Sequence, residues 1–138
     1  MSDHTTKRWA YPKWDGFIDK SALIPYPALR TALKYTHSRR LAIDVRAHIG
    51  INSYYLSRRF DRVLSFEPDS NLYECARNNL RNTSNTTLDR CGISNISAVM
   101  GMANSLNGAT WCAYLVKKRK EHSITVVKLD ELFVETVD

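Results

Sequence analysis

The chain has 138 residues, of which 43% are hydrophobic and 25% charged, and a formal charge of +6. That length suits one domain with a real core and excludes two of ordinary size. No apolar run is long enough to span a bilayer and the first twenty residues lack an apolar centre, so the expectation is a cytoplasmic protein without a membrane partner. Cys75, Cys91 and Cys112 are scattered, with no pair at metal-ligand spacing. They read as reduced thiols, which excludes a disulfide framework and a zinc site; no metal is expected. The basic excess leaves nucleic acid open as a partner without favouring it. Its local clusters, His37-Ser38-Arg39-Arg40, Arg58-Arg59 and Lys117-Lys118-Arg119-Lys120, are spread along the chain and read first as solvated surface.

In chain order, residues 1–26 form an aromatic and basic arm. Trp9, Tyr11, Trp14 and Phe17 alternate with Lys7, Arg8, Pro12 and Lys13 in no helical or strand period, and are expected to pack back on the domain. Residues 27–138 make the domain itself. Pro27 suits the first turn of a helix running to Tyr35, with His37 to Arg40 at the cation-favouring end of its dipole. Leu41 to Val45 predicts a buried parallel strand, and Ile49 to Phe60 a loop turning into a crossover helix. Arg62 to Phe66 predicts a second strand. Pro68 to Asn71 supplies a turn and N-cap for a helix to about Arg81. Thr87 to Cys91 reads as a third, weak strand with Gly92 to Ser97 as its exit. Asn107-Gly108 predicts a β-hairpin between Ala98–Ser105 and Ala109–Val116. Ile124 to Lys128 is the last strand, and Leu129-Asp130-Glu131-Leu132 begins a short helix.

The stretch Leu41 to Gly50 with Val63 to Pro68 carries the chemistry. Two apolar runs, each ending in an acid, flank a loop and a helical segment, and this is the grammar of a nucleotide-binding βαβ unit. Parallel pairing places Asp44 and Glu67 at one sheet edge, where open α/β sheets bind ligands. A glycine-bearing loop admits close approach to the backbone, and the helix that follows offers N–H groups. A carboxylate at Glu67 can accept both hydroxyl hydrogens of a ribose. The dinucleotide fingerprint G-x-G-x-x-G is absent.

Ile43-Asp44-Val45-Arg46-Ala47-His48-Ile49-Gly50, followed by Ser53, Phe66-Glu67-Pro68 and Asn79, resembles the opening half of FkbM-type S-adenosylmethionine-dependent methyltransferases. Their pattern runs D-V-G-A-N-I-G, then F-E-P, then a helix ending in N. Val127-Lys128-Leu129-Asp130-Glu131-Leu132 is similar to that family's T-L-D-E-L segment, so the resemblance covers roughly residues 40–138. It implies a Rossmann-like methyltransferase fold with a parallel central sheet, and S-adenosylmethionine as cofactor. It also implies O-methyl transfer to a small-molecule or glycan acceptor. Asp44, Ala47, His48, Ile49 and Gly50 would lie along the methionine side, Glu67 would hold the ribose, and Ser53 would be a further cofactor-binding residue.

The sequence departs from the family pattern twice. Arg46 replaces the loop glycine, where its side chain is expected to crowd the cofactor or to demand a backbone angle costing about 1 kcal/mol or more. After Asp138 the family pattern would continue into I-K-x-D-x-E-G, so the fold is expected to be incomplete at its C-terminus. No catalytic residue stands out: His48 lies in the loop, His4 and His37 read as exposed, and His122 sits beside a charged loop. Alongside the enzyme reading stand a non-catalytic remnant serving as a binding module and a basic nucleic-acid-binding protein. For the remnant, Ile124 to Lys128 would expose an uncovered sheet edge that invites self-association.

Overall fold

The computed structural model describes residues 9–13, 27–103, 114–116 and 123–132. Within them the chain is mixed α/β. Helix α1 (Pro27–Ala32) leads to β1 (Leu41–Val45), α2 (Ile51–Ser57), β2 (Arg62–Phe66), α3 (Ser70–Leu80) and β3 (Thr86–Asp89). These strands form a parallel sheet in the order β1-β2-β3, paired from Leu41↔Arg62 to Val45↔Phe66 and from Val63↔Thr86 to Phe66↔Asp89. The remaining strands are β4 (Gly92–Ser94), β5 (Ala98–Ala103), β6 (Tyr114–Val116) and β7 (Ser123–Lys128). They build a second, mixed sheet in the order β4-β7-β5-β6, followed by one 3₁₀ turn at Leu129–Glu131.

Three expectations need correction. β7 is not an uncovered edge: it pairs in parallel with β4 and antiparallel with β5, so self-association through this strand has no free edge to use. Gly92 to Ser97 is not merely an exit, because its first three residues are β4, which exists only through pairing with Val126 to Lys128 far along the chain. The helix after the central loop is shorter than Ile49 to Phe60. Its carbonyl end is closed early by Asn85, whose Nδ2 donates to Ser57 O and Phe60 O, both at 2.8 Å. The antiparallel β5–β6 pairing agrees with the expected hairpin, with Gly101↔Val116 and Ala103↔Tyr114 in register. Its Asn107-Gly108 turn lies outside the described residues, as do Trp14, Phe17, Cys112, His4, His122 and the basic run at 117–120.

One face of the parallel sheet is packed by what the sequence supplies, while on the other Ile43 and Leu64 are half-buried and Val45 is exposed. Ala42, Leu56, Phe60 and Val63 form one cluster, on which Leu29 and Leu33 from α1 and its following turn also pack. Ile49 and Leu72 form another with Ile51 and Cys75. Asp69 caps α3 by accepting N–H bonds from Asn71 at 2.9 Å and Leu72 at 3.0 Å. Among the described residues no helix is long and apolar enough to cross a membrane.

One joint had no signal in composition or period. Asn79, buried on α3, donates through Nδ2 to Ile49 O and to Ala10 O, both at 2.8 Å, and accepts Ala10 N–H at 2.7 Å. Trp9 packs edge-on against Tyr54 of α2, with ring centroids 5.5 Å apart. The described part of the arm therefore does pack back, held by an amide that grips the central loop as well. Asn79→Ala leaves three backbone groups without a partner. It should lower the stability to urea by about 2–3 kcal/mol and speed tryptic cleavage at Lys13.

Candidate functional site

Parallel register brings the C-terminal ends of β1, β2 and β3 together, and with them Asp44, Glu67, Asp69 and Asp89. The loop after β1 is pinned there by its own backbone: Ala47 N–H donates to Phe66 O at 2.9 Å and Gly50 N–H to Ala47 O at 2.8 Å. Its path requires three left-handed residues, Arg46 (φ 63), His48 (φ 54) and Gly50 (φ 84). Only the last is the residue type for which that conformation costs nothing.

Glu67 closes the loop from the neighbouring strand. It is 4% exposed; its Oε2 accepts the His48 N–H at 2.8 Å and its Oε1 accepts the Asp69 N–H at 2.9 Å. Burial pushes its carboxyl up from 4.5 to about 7. The two N–H donors, and more weakly the Arg46 cation, pull the other way. Asp44, 8% exposed, is also raised by burial and is partly offset by Ser53, whose backbone N–H and hydroxyl both bond to it. The hydroxyl chain continues inward: Ser53 Oγ donates to Asp44 Oδ2 at 2.5 Å and Ser65 Oγ to Ser53 Oγ at 2.9 Å.

The candidate residues thus divide. Ser53 and Ile49 are fully buried, and Ala47 nearly so. Ser53 locks Asp44 to α2, Ile49 packs against Leu72, and Ala47 spends its N–H and carbonyl on Phe66 and Gly50, so their side chains support the edge from beneath. Gly50 faces α3 as well, since a Cβ there would lie 3.0 Å from Leu80 Cδ1 and 3.4 Å from Ala76 Cα. Its missing side chain therefore serves helix packing rather than close approach of a ligand. What remains for a ligand is Glu67, Asp44 and the half-buried His48. Of the two outcomes expected for Arg46 the structure shows the second: it adopts the glycine-like angle, and the residue is exposed.

One polar group at this end could not be singled out from sequence. Asn52, in the first turn of α2, has a buried Oδ1 with no hydrogen-bond partner. Among the described residues no three His, Cys, Asp or Glu side chains gather as a metal site would require.

No protein-family model matches the chain, and no curated protein matches it. Among solved structures it is similar to the methyltransferase FkbM from Methylobacillus flagellatus, at 19% identity and a TM-score of 0.46 over 71% of this chain. The chain spans only 24% of that protein's length. A likeness of that size leaves the site to be read from its own geometry.

Gly50→Ala should destabilise by about 2 kcal/mol or more, because it adds both a left-handed alanine and a contact with Leu80. Arg46→Gly should be neutral or stabilising by up to about 1 kcal/mol, since relief of the angle is opposed by a freer unfolded chain. Chemical denaturation of both variants checks this pair. For Glu67, the folded carboxyl binds its proton more tightly than the unfolded one, so its contribution is fully present below about pH 4.5 and is lost as pH rises through about 7. The loss is roughly 3 kcal/mol. Glu67→Gln should remove that decline from the stability profile between pH 5 and 8, leaving only the like-signed part from Asp44.

Proposed function

We propose that the edge formed by β1, its loop and β2 binds S-adenosylmethionine, and that the chain belongs to an FkbM-type methyltransferase that methylates a hydroxyl acceptor. One observation carries this reading: the buried Glu67 carboxylate, set at the end of β2 directly against the left-handed loop after β1. Each of its oxygens accepts one backbone N–H from His48 or Asp69 and keeps a lone pair over, so the pair can take the two hydroxyl hydrogens of a ribose. Fit to the cofactor is further tested by the orphaned Asn52 Oδ1, a buried acceptor in want of a donor. Glu67, Asp44 and Asn52 all accept hydrogen bonds, which suits a ligand bearing hydroxyl and ammonium donors. Arg46 is exposed and so not buried in the loop, and its cation favours the ionised form of Glu67.

In this reading Glu67 holds the ribose, and Asp44 and His48 border the amino-acid side. When bound, S-adenosylmethionine supplies an electrophilic methyl group. The chain's part is to fix its orientation and keep Glu67 ionised when the ribose is present, since transfer of this kind depends mainly on alignment with the acceptor. No described residue is offered as a base.

A second reading, the non-catalytic remnant, draws on Arg46: a cationic, non-glycine residue at a left-handed angle stands at the turn where the family pattern has glycine. Calorimetric titration with S-adenosylmethionine and S-adenosylhomocysteine separates the two. The enzyme reading expects binding by the unchanged chain, tightening as pH rises from about 6 to 8 while Glu67 ionises. Glu67→Ala should weaken it roughly 10- to 100-fold, the worth of hydrogen bonds to a charged acceptor. Binding by Arg46→Gly alone would favour the remnant, and silence from both proteins would overturn the cofactor assignment.

A further inference from the structure

The opposite edge of the parallel sheet concentrates the protein's charge. Three segments enter the strands there: residues 33–40 before β1, 57–62 into β2 and 81–86 into β3. They are far apart in sequence but tied by short bonds. Asp61 N–H donates to Arg39 O at 2.7 Å, Arg62 N–H to Arg40 O at 3.0 Å and Val63 N–H to Asn85 O at 2.8 Å. Together these segments hold seven cations, Lys34, Arg39, Arg40, Arg58, Arg59, Arg62 and Arg81, against the single acid Asp61. Their balance of +6 equals the formal charge of the whole chain, so the rest of the sequence is neutral in sum.

Helix chemistry explains part of this edge. Lys34, Arg58, Arg59 and Arg81 follow the C-terminal ends of α1, α2 and α3, where cations are favoured by the dipole. Arg39 is a post rather than a contact: its Nη2 donates to Leu33 O at 2.7 Å and its guanidinium lies 5.1 Å from the centre of the Phe60 ring. Arg40 and Arg62 follow no helix end, and Arg40 Nε donates to Ser38 Oγ at 3.3 Å. Both are exposed, and both stand where parallel strands begin. In the first of the three segments Tyr35, 74% exposed, presents an aromatic ring in the turn after α1. Exposed cations in a row with an accessible ring are what a phosphate backbone with unstacked bases requires.

We infer that the strand-entry edge formed by Lys34, Arg40, Arg58, Arg59, Arg62 and Arg81, with Tyr35 in its first segment, binds single-stranded nucleic acid. Cations alone would serve any polyanion, and the exposed tyrosine selects a ligand with free base faces. This edge shares no residue with the cofactor site at the other end of the strands, and its binding does not depend on that site being filled.

The test is fluorescence anisotropy with a labelled single-stranded RNA of about 12 nucleotides, followed between about 50 and 200 mM salt. Binding should weaken steeply with salt. Arg40→Ser/Arg62→Ser should lower affinity tenfold or more and flatten the logarithmic salt slope by roughly one to one and a half, as expected when two phosphates are no longer neutralised. Tyr35→Ala should cost roughly 5- to 100-fold while leaving the slope unchanged. The control Arg90→Ser/Lys128→Ser removes the same charge at strand exits, away from this edge, and should change little; unaltered urea midpoints show that each variant is folded. No binding by the unchanged chain, equal losses in the control, equal affinity for duplex, or equal affinity for phosphatidylserine vesicles would each overturn the inference.

Discussion

The carboxylate of Glu67 is the interaction on which the strand-exit end of the parallel sheet depends. One oxygen holds the loop after β1 through His48 and the other holds the turn before α3 through Asp69, whose own side chain caps that helix. A single buried acid thus sets the distance between a strand, a loop and a helix start. Its location is costly: desolvation opposes the charge, and only two N–H donors and a nearby cation favour it. A glutamine would keep one acceptor and put an amide donor against a backbone N–H, so the same geometry could not be satisfied by an uncharged isostere.

The left-handed loop gives the second constraint. Three residues at positive φ within five positions make a path that ordinary L-residues resist, and the surrounding bonds over-determine it. Ala47 is tied to Phe66, His48 to Glu67, Ile49 to Asn79 and Gly50 to Ala47. Under such restraint Arg46 can be carried in a conformation better suited to glycine while the residue stays exposed. Strain in one residue is tolerable when four neighbours are fixed. The same bonds explain why the arm matters to the loop, since the Asn79 amide that grips Ile49 also grips Ala10.

Legibility followed the range of the interactions. The strands Leu41 to Val45 and Arg62 to Phe66 and the helix from Ser70 could be read directly, because continuous apolar runs and an Asp N-cap are local signals. The placement of Asp44 and Glu67 at one edge followed from parallel topology. What escaped was decided across the chain. β4 is three residues with no period of its own, and β7 became a central strand only because β4 and β5 flank it. Ser53 and Gly50 were in the right place for a ligand by pattern, but their roles turned on neighbours that a pattern does not contain: Asp44 and Ser65 for one, Leu80 and Ala76 for the other. Asn79 carried a motif letter but gave no hint of the arm it holds.

The basic and acidic groups lie at opposite ends of the same three strands, and distance decides how far one end influences the other. From Arg62 to Glu67 the chain advances five residues at about 3.3 Å each, some 16 Å in all. That is about twice the screening length at physiological salt. The strand-entry arginines therefore do little to favour the Glu67 carboxylate, and among them and the loop only Arg46 is close enough to act on it. Arg46 is thus both the residue that strains the loop and the cation that eases the acid behind it. Replacing it with glycine would relax the backbone while withdrawing a charge from Glu67, so the strain of a non-glycine residue at this turn is offset at the buried acid behind it.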